Sequence, residues 1–423
     1  MTYGVSPADG AERVAFVLGT SAGGVGRHVA MLAAGLTRAG RRVVVAGPPS
    51  TEETFGFTAL GARFVPVPIS DRPHPRNDLR AIRMLRALRG AHAVHAHGLR
   101  AGALAALALA GTGTGLVVTL HNAATAGGAI GAIYGILERI TAHRADRILV
   151  VSPDLGERMT RLGARYVETA VVPAPALPSS GRRPGAIRAE LGTGDAAVIL
   201  TVARLAQQKG LETLLDVAKV FASGAVTGAA HLADERDIGA PVFGGTPQEP
   251  AKGSAGGAGE GAETGRIVPE GGDGTAAREV VFLIAGEGPL RAELQRRIDR
   301  EGLPVRLLGN RDDVGDLLRV ARALLVPSRW EGQPLTVQEA LRAGTPVVAT
   351  AVGGVPAMLG KAGLLVPYGD VAAMRGAVAR VLTDDGLVTR LAEAAAGRGR
   401  ELPGEREALE AVLAVYGTLP RRG

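Results

Sequence analysis

Residues 323–350 read ALLVPSRWEGQPLTVQEALRAGTPVVAT. The first four are apolar and predict a short buried strand. Pro334 suits the first turn of a helix, where its missing N–H leaves no bond unmade, and Gly344 suits the position just past the end of one. Residues 345–350 then begin a second strand. We therefore expect a strand, a loop, a helix and another strand, the unit from which parallel α/β sheets are built.

Two carboxylates lie in this unit, Glu331 in the loop and Glu339 inside the helix. Ligands of open parallel sheets gather at the carboxyl ends of the strands. A helix N-terminus there offers free N–H groups and about half a positive charge, which suits a phosphate. Carboxylates beside a phosphate would repel it unless they bind uncharged groups such as sugar or ribose hydroxyls. The combination indicates a nucleotide-sugar pocket, and two ordinary surface carboxylates are the simpler alternative.

Glu331 and Glu339 have seven residues between them, and they follow Pro327-Ser328 and run into an Ala-rich helix. This pattern resembles the signature of the retaining glycosyltransferases of family 4, also called glycosyl transferases group 1. The resemblance implies the GT-B fold, in which two Rossmann-like, doubly wound α/β domains face each other across a cleft. It covers nearly the whole chain outside residues 224–278, and it is more specific in the C-terminal half.

Composition agrees with two domains, because 423 residues exceed the usual size of one domain and 46% of them are hydrophobic. Aromatic residues make up only 3%, so the cores must be built mostly from Ala, Val and Leu. The chain has no cysteine, which excludes disulfides and thiolate metal sites and is consistent with the cytoplasm. The N-terminus lacks the features of a signal peptide, and no apolar run reaches the ~20 residues that span a bilayer.

The positive charge is concentrated in one half of the chain. Residues 1–180 contain 19 Arg and no Lys against 11 acidic residues, whereas the net charge of the whole chain is +7. Such a field favours an anionic acceptor or an anionic membrane surface, including the inner face of the cell membrane. Nucleic acid is not expected, because the basic clusters lack interleaved aromatics and a binding motif.

Alternating strand and helix patterns organise the chain into segments. We predict an acceptor-binding domain at 1–178, a linker rich in Pro, Gly and Ser at 179–186, and a donor-binding domain at 187–400. Residues 224–278 have little apolar periodicity and predict a low-complexity insertion in a surface loop. In the family that the chain resembles, a terminal helix, here within 401–423, often crosses back onto the N-terminal domain.

Arg204 and Lys209 follow another predicted strand in the loop TVARLAQQKG, residues 201–210. The loop resembles the family's Arg-x4-Lys-Gly motif, whose two cations hold the donor diphosphate. The physical argument is independent of the family: a leaving nucleoside diphosphate gains negative charge as the glycosidic bond breaks, and fixed cations stabilise that state. Two ordinary surface cations on a solvated loop are the alternative.

The loop GTSAGGVGRH at 19–28 is a poor match to two phosphate-binding motifs. As a Walker A loop it has Val25 where Lys is required. As a dinucleotide fingerprint it lacks the glycine spacing, and no acidic residue ends the next strand. The resemblance implies instead the family's Gly-Gly loop, in which the amides of Gly23 and Gly24 approach the donor phosphates. A tight turn before a helix is the simpler alternative.

His121 follows the predicted strand 116–120, where the family often has a His that contacts the transferred sugar. It could equally cap the next helix or pack in the cleft wall. His95 and His97 flank Ala96 at another strand end and could point to one face. Since no third ligand lies nearby, we expect no metal site, and GT-B enzymes generally work without one. No cofactor is expected either.

Other donor contacts are implied by the resemblance. These are Gly286 in a Gly-x-Gly-Pro turn and the loop residues Gly332, Gln333, Pro334 and Leu335. The turn Gly353-Gly-Val-Pro356 also fits the family. The next residue there is usually acidic, whereas this chain has Ala357, which places one donor contact in doubt.

The segment 78–90 carries Arg80, Arg83, Arg86 and Arg89 at intervals of three. A basic amphipathic helix of this kind can lie on anionic lipid. A surface helix with a solvated Arg face is the commoner alternative.

We therefore predict a retaining hexosyltransferase that takes its sugar from a nucleotide-diphosphate donor. In this prediction Arg204 and Lys209 stabilise the diphosphate, and amides near Gly332 to Leu335 assist. Glu339 binds ribose hydroxyls, Glu331 binds the sugar, and His121 orients the sugar from the other domain. The acceptor is left open, as an anionic or lipid-linked molecule. The alternatives are an epimerase or hydrolase on the same fold, or a non-catalytic protein that binds nucleotide sugars.

Overall fold

The computed structural model describes residues 12–21, 23–70, 73–122, 128–177, 180–222 and 279–420, and at 129 and 130 it describes the backbone alone. The predicted insertion at 224–278 lies outside the described residues. The strands are β1 (Arg13–Leu18), β2 (Arg42–Gly47), β3 (Arg63–Pro66), β4 (Ala93–His97), β5 (Gly115–Leu120), β6 (Arg147–Val150), β7 (Val167–Thr169), β8 (Ala197–Val202), β9 (Val280–Ala285), β10 (Val305–Gly309), β11 (Ala323–Val326), β12 (Val347–Thr350) and β13 (Gly363–Val366). The helices are α1 (Gly24–Arg38), α2 (Pro49–Phe55), α3 (Pro75–Leu85), α4 (Leu99–Ala108), α5 (Gly128–Arg144), α6 (Pro153–Arg161), α7 (Pro184–Leu191), α8 (Leu211–Val220), α9 (Arg291–Glu301), α10 (Val314–Val320), α11 (Leu335–Ala343), α12 (Val355–Leu359), α13 (Val371–Thr383), α14 (Asp385–Glu401) and α15 (Glu405–Gly417).

Two parallel sheets organise these elements. The first has the strand order β3-β2-β1-β4-β5-β6-β7, and the second has the order β10-β9-β8-β11-β12-β13. All strand pairs named in either sheet are parallel. This confirms the predicted α/β class with two doubly wound sheets.

The strand order reverses once in each sheet, between β1 and β4 in the first and between β8 and β11 in the second. Neighbouring connections diverge at such a point and leave a crevice at the carboxyl ends of the strands. The Gly-rich loop follows β1, and the Arg204 loop follows β8. The loop that contains Glu331 follows β11. The topology therefore brings the predicted donor-binding loops to the two crevices.

The central strands are almost wholly buried because helices cover both faces of each sheet. Every residue of β4, β5 and β11 is buried. Small side chains let the helices approach closely, and in α4 the buried positions are mostly Ala and Gly. Ala, Val and Leu dominate both cores, as the low aromatic content requires.

Helix α15 packs against the first sheet although it follows the second sheet in the chain. Val412, Val415 and Tyr416 are buried in the same apolar core as β1 and β4. The Tyr416 hydroxyl lies 2.8 Å from His95 Nδ1 on β4. The first sheet is thus completed by a segment from the far end of the chain.

Helix α7 differs from the prediction, because it begins at Pro184 within the predicted linker 179–186. Proline is favoured in the first turn of a helix, but it is also common in linkers, and composition alone did not separate the two. No helix among the described residues is both long enough and apolar enough to cross a membrane.

Candidate active site

Lys209 and Glu331 lie in direct contact. Lys209 Nζ donates a hydrogen bond to Glu331 Oε1 over 2.6 Å, and the Ser328 hydroxyl donates to the same oxygen over 2.6 Å. Glu331 is 7% exposed and Ser328 is 1% exposed. A buried carboxylate needs such partners, since an unpaired charge away from water is costly. The structure thus brings together two residues that are 122 positions apart in the sequence.

Gly210 allows the loop carrying Lys209 to pack directly against the loop carrying Glu331. Gly210 has φ +62°, and a Cβ atom there would lie 2.0 Å from the Pro327 carbonyl oxygen. The backbones approach too closely for any side chain at this position. The Lys209–Glu331 contact follows from this packing.

Arg204 lies in the same loop and is exposed. Its guanidinium makes no hydrogen bond or ion pair with any residue that the structure describes. Gly286 packs behind this loop, because a Cβ atom there would lie 1.9 Å from the Ala203 carbonyl oxygen. Gly286 therefore supports the Arg204 loop from behind. A fixed loop with an exposed, unpaired cation is suited to an anion that arrives from solvent.

Glu339 lies in α11 and is 8% exposed. Burial raises the pKa of its carboxyl to about 7, and the nearby positive charges of Arg27 and Arg342 oppose that shift. The carboxyl makes no hydrogen bond within the described part of the chain. A ligand that supplies hydrogen-bond donors to this carboxyl would stabilise its ionised form.

The starts of two helices from different domains meet beside these residues. A Cβ atom at Gly24, the first residue of α1, would lie 3.3 Å from Leu335 Cδ1, and Leu335 is the first residue of α11. Neither helix has a side-chain cap at its N-cap residue, Gly23 or Pro334. Ser21 Oγ accepts a hydrogen bond from the amide of Gly26, the third residue of α1. Two positive helix ends therefore face one region.

Gln333 and Gln338 join the second domain to the segment that follows β7. The Gln333 amide accepts from the Val172 N–H over 3.0 Å and donates to the Ala170 carbonyl over 2.6 Å. Gln338 makes the same kind of pair with Ala174 and Val172, each over 2.8 Å. The side chain of Gln333 is therefore engaged between the domains. Only its backbone amide is available for the predicted contact with the donor.

Gly332 and Trp330 also contact the first domain. A Cβ atom at Gly332 would lie 2.3 Å from Val151 Cγ2, so this glycine permits close approach of the domains. The Trp330 indole N–H donates to Asp154 Oδ2 over 2.9 Å. The sequence did not single out Trp330 or Gln338. A lone Trp and a second Gln in the same loop and helix were the only signals.

His121 lies in a group of buried imidazoles in the first domain. His97 Nδ1 is 3.0 Å from His121 Nε2, and His28 from α1 packs against both rings. Burial lowers the pKa of His121 and of His97 well below 6.5. The sequence pointed to His95, His97 and His121 but not to His28. In the described residues, no three His, Asp or Glu side chains form a group that could hold a metal ion.

Comparison with known proteins supports the same family. Residues 23–175 match the family described as Glycosyl transferase 4-like domain, and residues 272–384 match Glycosyl transferases group 1. A 2-deoxystreptamine glucosyltransferase of Streptomyces kanamyceticus is 37% identical over 129 residues, which are 29% of this chain and 33% of that protein. The lipopolysaccharide core biosynthesis mannosyltransferase LpsB of Rhizobium meliloti is 34% identical over 151 residues, 33% of this chain and 43% of that protein. The matched segments thus span less than half of these relatives.

Solved structures resemble the chain over its full length. Anabaena Alr3699/HepE, solved in complex with UDP and glucose, superposes with a TM-score of 0.72 at 15% identity and covers 96% of this chain and 100% of its own. WaaG, a glycosyltransferase involved in lipopolysaccharide biosynthesis, gives a TM-score of 0.66 at 16% identity, with the same coverage of both chains. At this identity the likeness shows the fold. The two family matches and this shared architecture confirm that the chain belongs to the family 4-like, group 1 glycosyltransferases and has their two-domain GT-B fold.

Proposed function

We propose that the protein transfers a hexose from a nucleotide-diphosphate sugar to an acceptor and retains the anomeric configuration. One observation carries the proposal most: Lys209 is paired with Glu331, and the loop of Glu331 leads into α11, whose start meets the start of α1 from the opposite domain. Positive helix ends, a lysine and an exposed arginine suit a diphosphate. The carboxylates beside them suit the hydroxyls of a ribose and a sugar. A nucleotide sugar presents both kinds of group in one molecule.

The reaction follows from where charge develops. As the bond from the anomeric carbon to the phosphate oxygen breaks, the diphosphate gains negative charge. Lys209 and Arg204 stabilise this charge together with the backbone N–H groups of Gly332, Gln333, Leu335, Gly23 and Gly24. The acceptor oxygen forms its bond on the same face, and its proton passes to the departing phosphate oxygen. Glu331 binds sugar hydroxyls, Glu339 binds ribose hydroxyls, and His121 orients the sugar from the first domain.

A panel of UDP, GDP and ADP sugars tests the donor. A true donor should raise the melting temperature of the wild type, since a ligand that binds only the folded state stabilises it. Lys209→Ala should lose most of that shift, whereas Lys219→Ala, an exposed lysine on α8, should keep it. If no sugar nucleotide stabilises the wild type, the proposal is wrong.

Product analysis separates transfer from its alternatives. A transferase releases nucleoside diphosphate in proportion to added acceptor, an epimerase changes the donor without acceptor, and a hydrolase releases free sugar. The anomeric coupling constant of the product reports retention or inversion directly. We expect activity to persist in EDTA, because the proposed roles are filled by Lys, Arg and backbone N–H groups.

For the acceptor side we propose contact with an anionic membrane surface, on the inner face of the cell membrane. Helix α4 lies between α3 and α5. These three helices carry exposed apolar side chains at Leu79, Leu107, Ile133 and Ile136. Exposed arginines, Arg80 and Arg83, stand among them on α3. Apolar residues flanked by basic ones suit the interface of an anionic bilayer and a lipid-linked acceptor.

Vesicle co-sedimentation tests this surface. Binding to phosphatidylglycerol vesicles should exceed binding to phosphatidylcholine vesicles, and Ile136→Asp should reduce it. Val220→Asp, which changes an equally exposed residue of the second domain, is the matched control and should bind as the wild type does. Equal binding by all three proteins, or none, would count against the membrane proposal and leave the donor proposal untouched.

A further inference from the structure

Four buried imidazoles pack together on one face of the first sheet. His95 and His97 lie on β4, His121 directly follows β5, and His28 comes from α1 above them. His97 pairs in register with Thr119 on the neighbouring strand. Since successive side chains of a strand alternate between faces, His95, His97, Thr119 and His121 share one face. The rings of His97 and His121 are stacked, with centroids 5.3 Å apart.

One hydrogen bond links His97 and His121. His97 Nδ1 lies 3.0 Å from His121 Nε2. His97 is 2% exposed and His121 is 9% exposed. Neither ring has a hydrogen bond or an ion pair with a carboxylate of the described residues. Burial lowers the pKa of both imidazoles, and the neighbouring rings lower them further. Both are therefore neutral near pH 7, and a single hydrogen lies between the two nitrogens.

The second nitrogen of His97 decides which ring supplies that hydrogen. His97 Nε2 is buried and has no hydrogen-bond partner among the described residues. If the hydrogen of His97 were on Nε2, a buried N–H would lack an acceptor. If it is on Nδ1, only an acceptor lone pair is left unused, and unused acceptors are tolerated better than orphaned N–H groups. His97 Nδ1–H therefore donates to His121 Nε2.

The tautomer of His121 follows from this assignment. Its Nε2 accepts a hydrogen bond, so the hydrogen of the neutral ring is on Nδ1. His121 then meets a substrate as a hydrogen-bond donor through Nδ1, and its ring is held in one orientation. A sugar hydroxyl oxygen is a suitable acceptor for that N–H.

We propose that His97 is a positioning residue that holds His121 in its Nδ1–H tautomer and presents that N–H to the transferred sugar. The part concerning the sugar rests on the proposed transferase function. The part concerning the tautomer rests on the two imidazoles alone. His97 itself does not contact the reacting atoms.

The tautomer is measured without any substrate. Long-range ¹H–¹⁵N spectra of the full chain labelled with ¹⁵N-histidine resolve protonated from unprotonated ring nitrogens, and eight histidines are few enough to assign by substitution. A His121→Asn spectrum identifies the His121 signals. We expect Nδ1 of His121 to be protonated in the wild type. A protonated Nε2 would overturn the proposal, whatever the protein catalyses.

Two variants of His97 then test positioning. His97→Asn keeps an N–H at the same distance along the side chain as Nδ1, so His121 should keep its tautomer and most of the activity. His97→Phe fills the ring volume without an N–H. His121 should then no longer be held in the Nδ1–H tautomer. We expect kcat to fall about 10- to 100-fold, as it does when orienting groups are slightly misplaced, with little change in the donor KM.

Tyr416→Phe is the matched control. It removes the hydroxyl bonded to His95 Nδ1, a buried hydrogen bond in the same group of side chains, and leaves the His97–His121 pair in place. We expect wild-type kcat and an unchanged His121 spectrum. If His97→Phe and Tyr416→Phe lower kcat equally, or if His97→Asn is as slow as His97→Phe, the positioning role is wrong. A wild type that transfers no sugar would instead refute the proposed function, and the spectra would still decide the tautomer.

Discussion

At Glu331 a single carboxylate oxygen accepts from both Lys209 and Ser328. If Lys209 binds the donor diphosphate as proposed, the diphosphate shares the Lys209 ammonium with this carboxylate. The ion pair holds the lysine in place, so a donor that binds as proposed meets a cation that is already positioned. Preorganised charge of this kind lowers the cost of reorganisation during the reaction.

Glu331→Gln separates the two roles of this pair. The variant keeps the shape of the side chain but removes its charge, so Lys209 is freed for the diphosphate. Donor KM should stay similar or fall, while kcat falls about 10- to 100-fold through the lost charged bond to the sugar, equivalent to about 1.5–3 kcal/mol. Steady-state kinetics measure both. A large rise in KM with unchanged kcat would contradict these roles.

The raised pKa of Glu339 predicts the direction in which the stability of the protein changes with pH. Its carboxyl has a pKa raised from 4.5 to about 7 in the folded protein, so the folded state holds the proton more tightly than the unfolded state. The resulting stability is fully present below pH 4.5 and is lost as pH rises to 7. The loss is on the order of 3 kcal/mol, since one pKa unit is about 1.4 kcal/mol.

Glu339→Gln removes this titration. Urea unfolding of both proteins between pH 4.5 and 7.5 should show the wild type losing stability relative to Glu339→Gln as pH rises. Adding the donor should reduce the difference, because ribose hydroxyls favour the ionised carboxylate. Parallel pH curves for the two proteins would refute the raised pKa.

At the scale of the elements, the site depends on how closely two loops approach. Gly210→Ala places a methyl group against the Pro327 carbonyl and also forces alanine into a left-handed conformation. Gly192 has a similar φ of +58°, but its nearest neighbour is the flexible end of Arg306 at 3.5 Å. Gly192→Ala is therefore the control for backbone strain alone, which costs about 1–2 kcal/mol.

We expect Gly210→Ala to be clearly less stable than Gly192→Ala and to lose activity, because the Lys209 loop must move away from Glu331. Thermal unfolding and donor kinetics measure the two effects. If both variants lose the same stability and keep activity, the close approach of the loops does not hold the site together.

The elements were the part most accessible from sequence. The apolar run of β11, Pro334 and Gly344 together marked a strand, a helix start and a helix end. Local patterns of this kind need no knowledge of distant contacts. Local patterns do not predict side-chain contacts between domains. The hydrogen bond between Gln333 and Val172 joins residues 161 positions apart, and nothing local in either segment indicates it. His28 was missed for the same reason, since only the packing of α1 on the sheet brings it to His121.

At the scale of the whole molecule, α15 joins the second domain back to the core of the first. Val412→Asp places a charge at a position that is 4% exposed in this core. The variant should lose several kcal/mol or fail to fold, since a buried unpaired charge is among the most destabilising changes. Glu410→Asp, on the exposed side of the same helix, is the control. Chemical denaturation distinguishes them, and equal stability would show that α15 does not contribute to the core.

The return of α15 also has a consequence for biosynthesis. Strands β1 to β7 leave the ribosome well before Val415 and Tyr416, the residues that complete their apolar core. A nascent chain that ends after β7 therefore exposes the apolar surface that α15 later covers, including the place where Tyr416 contacts His95. Until α15 has been translated, the apolar core of the first domain is incomplete. A chaperone that binds exposed apolar surface would bind there.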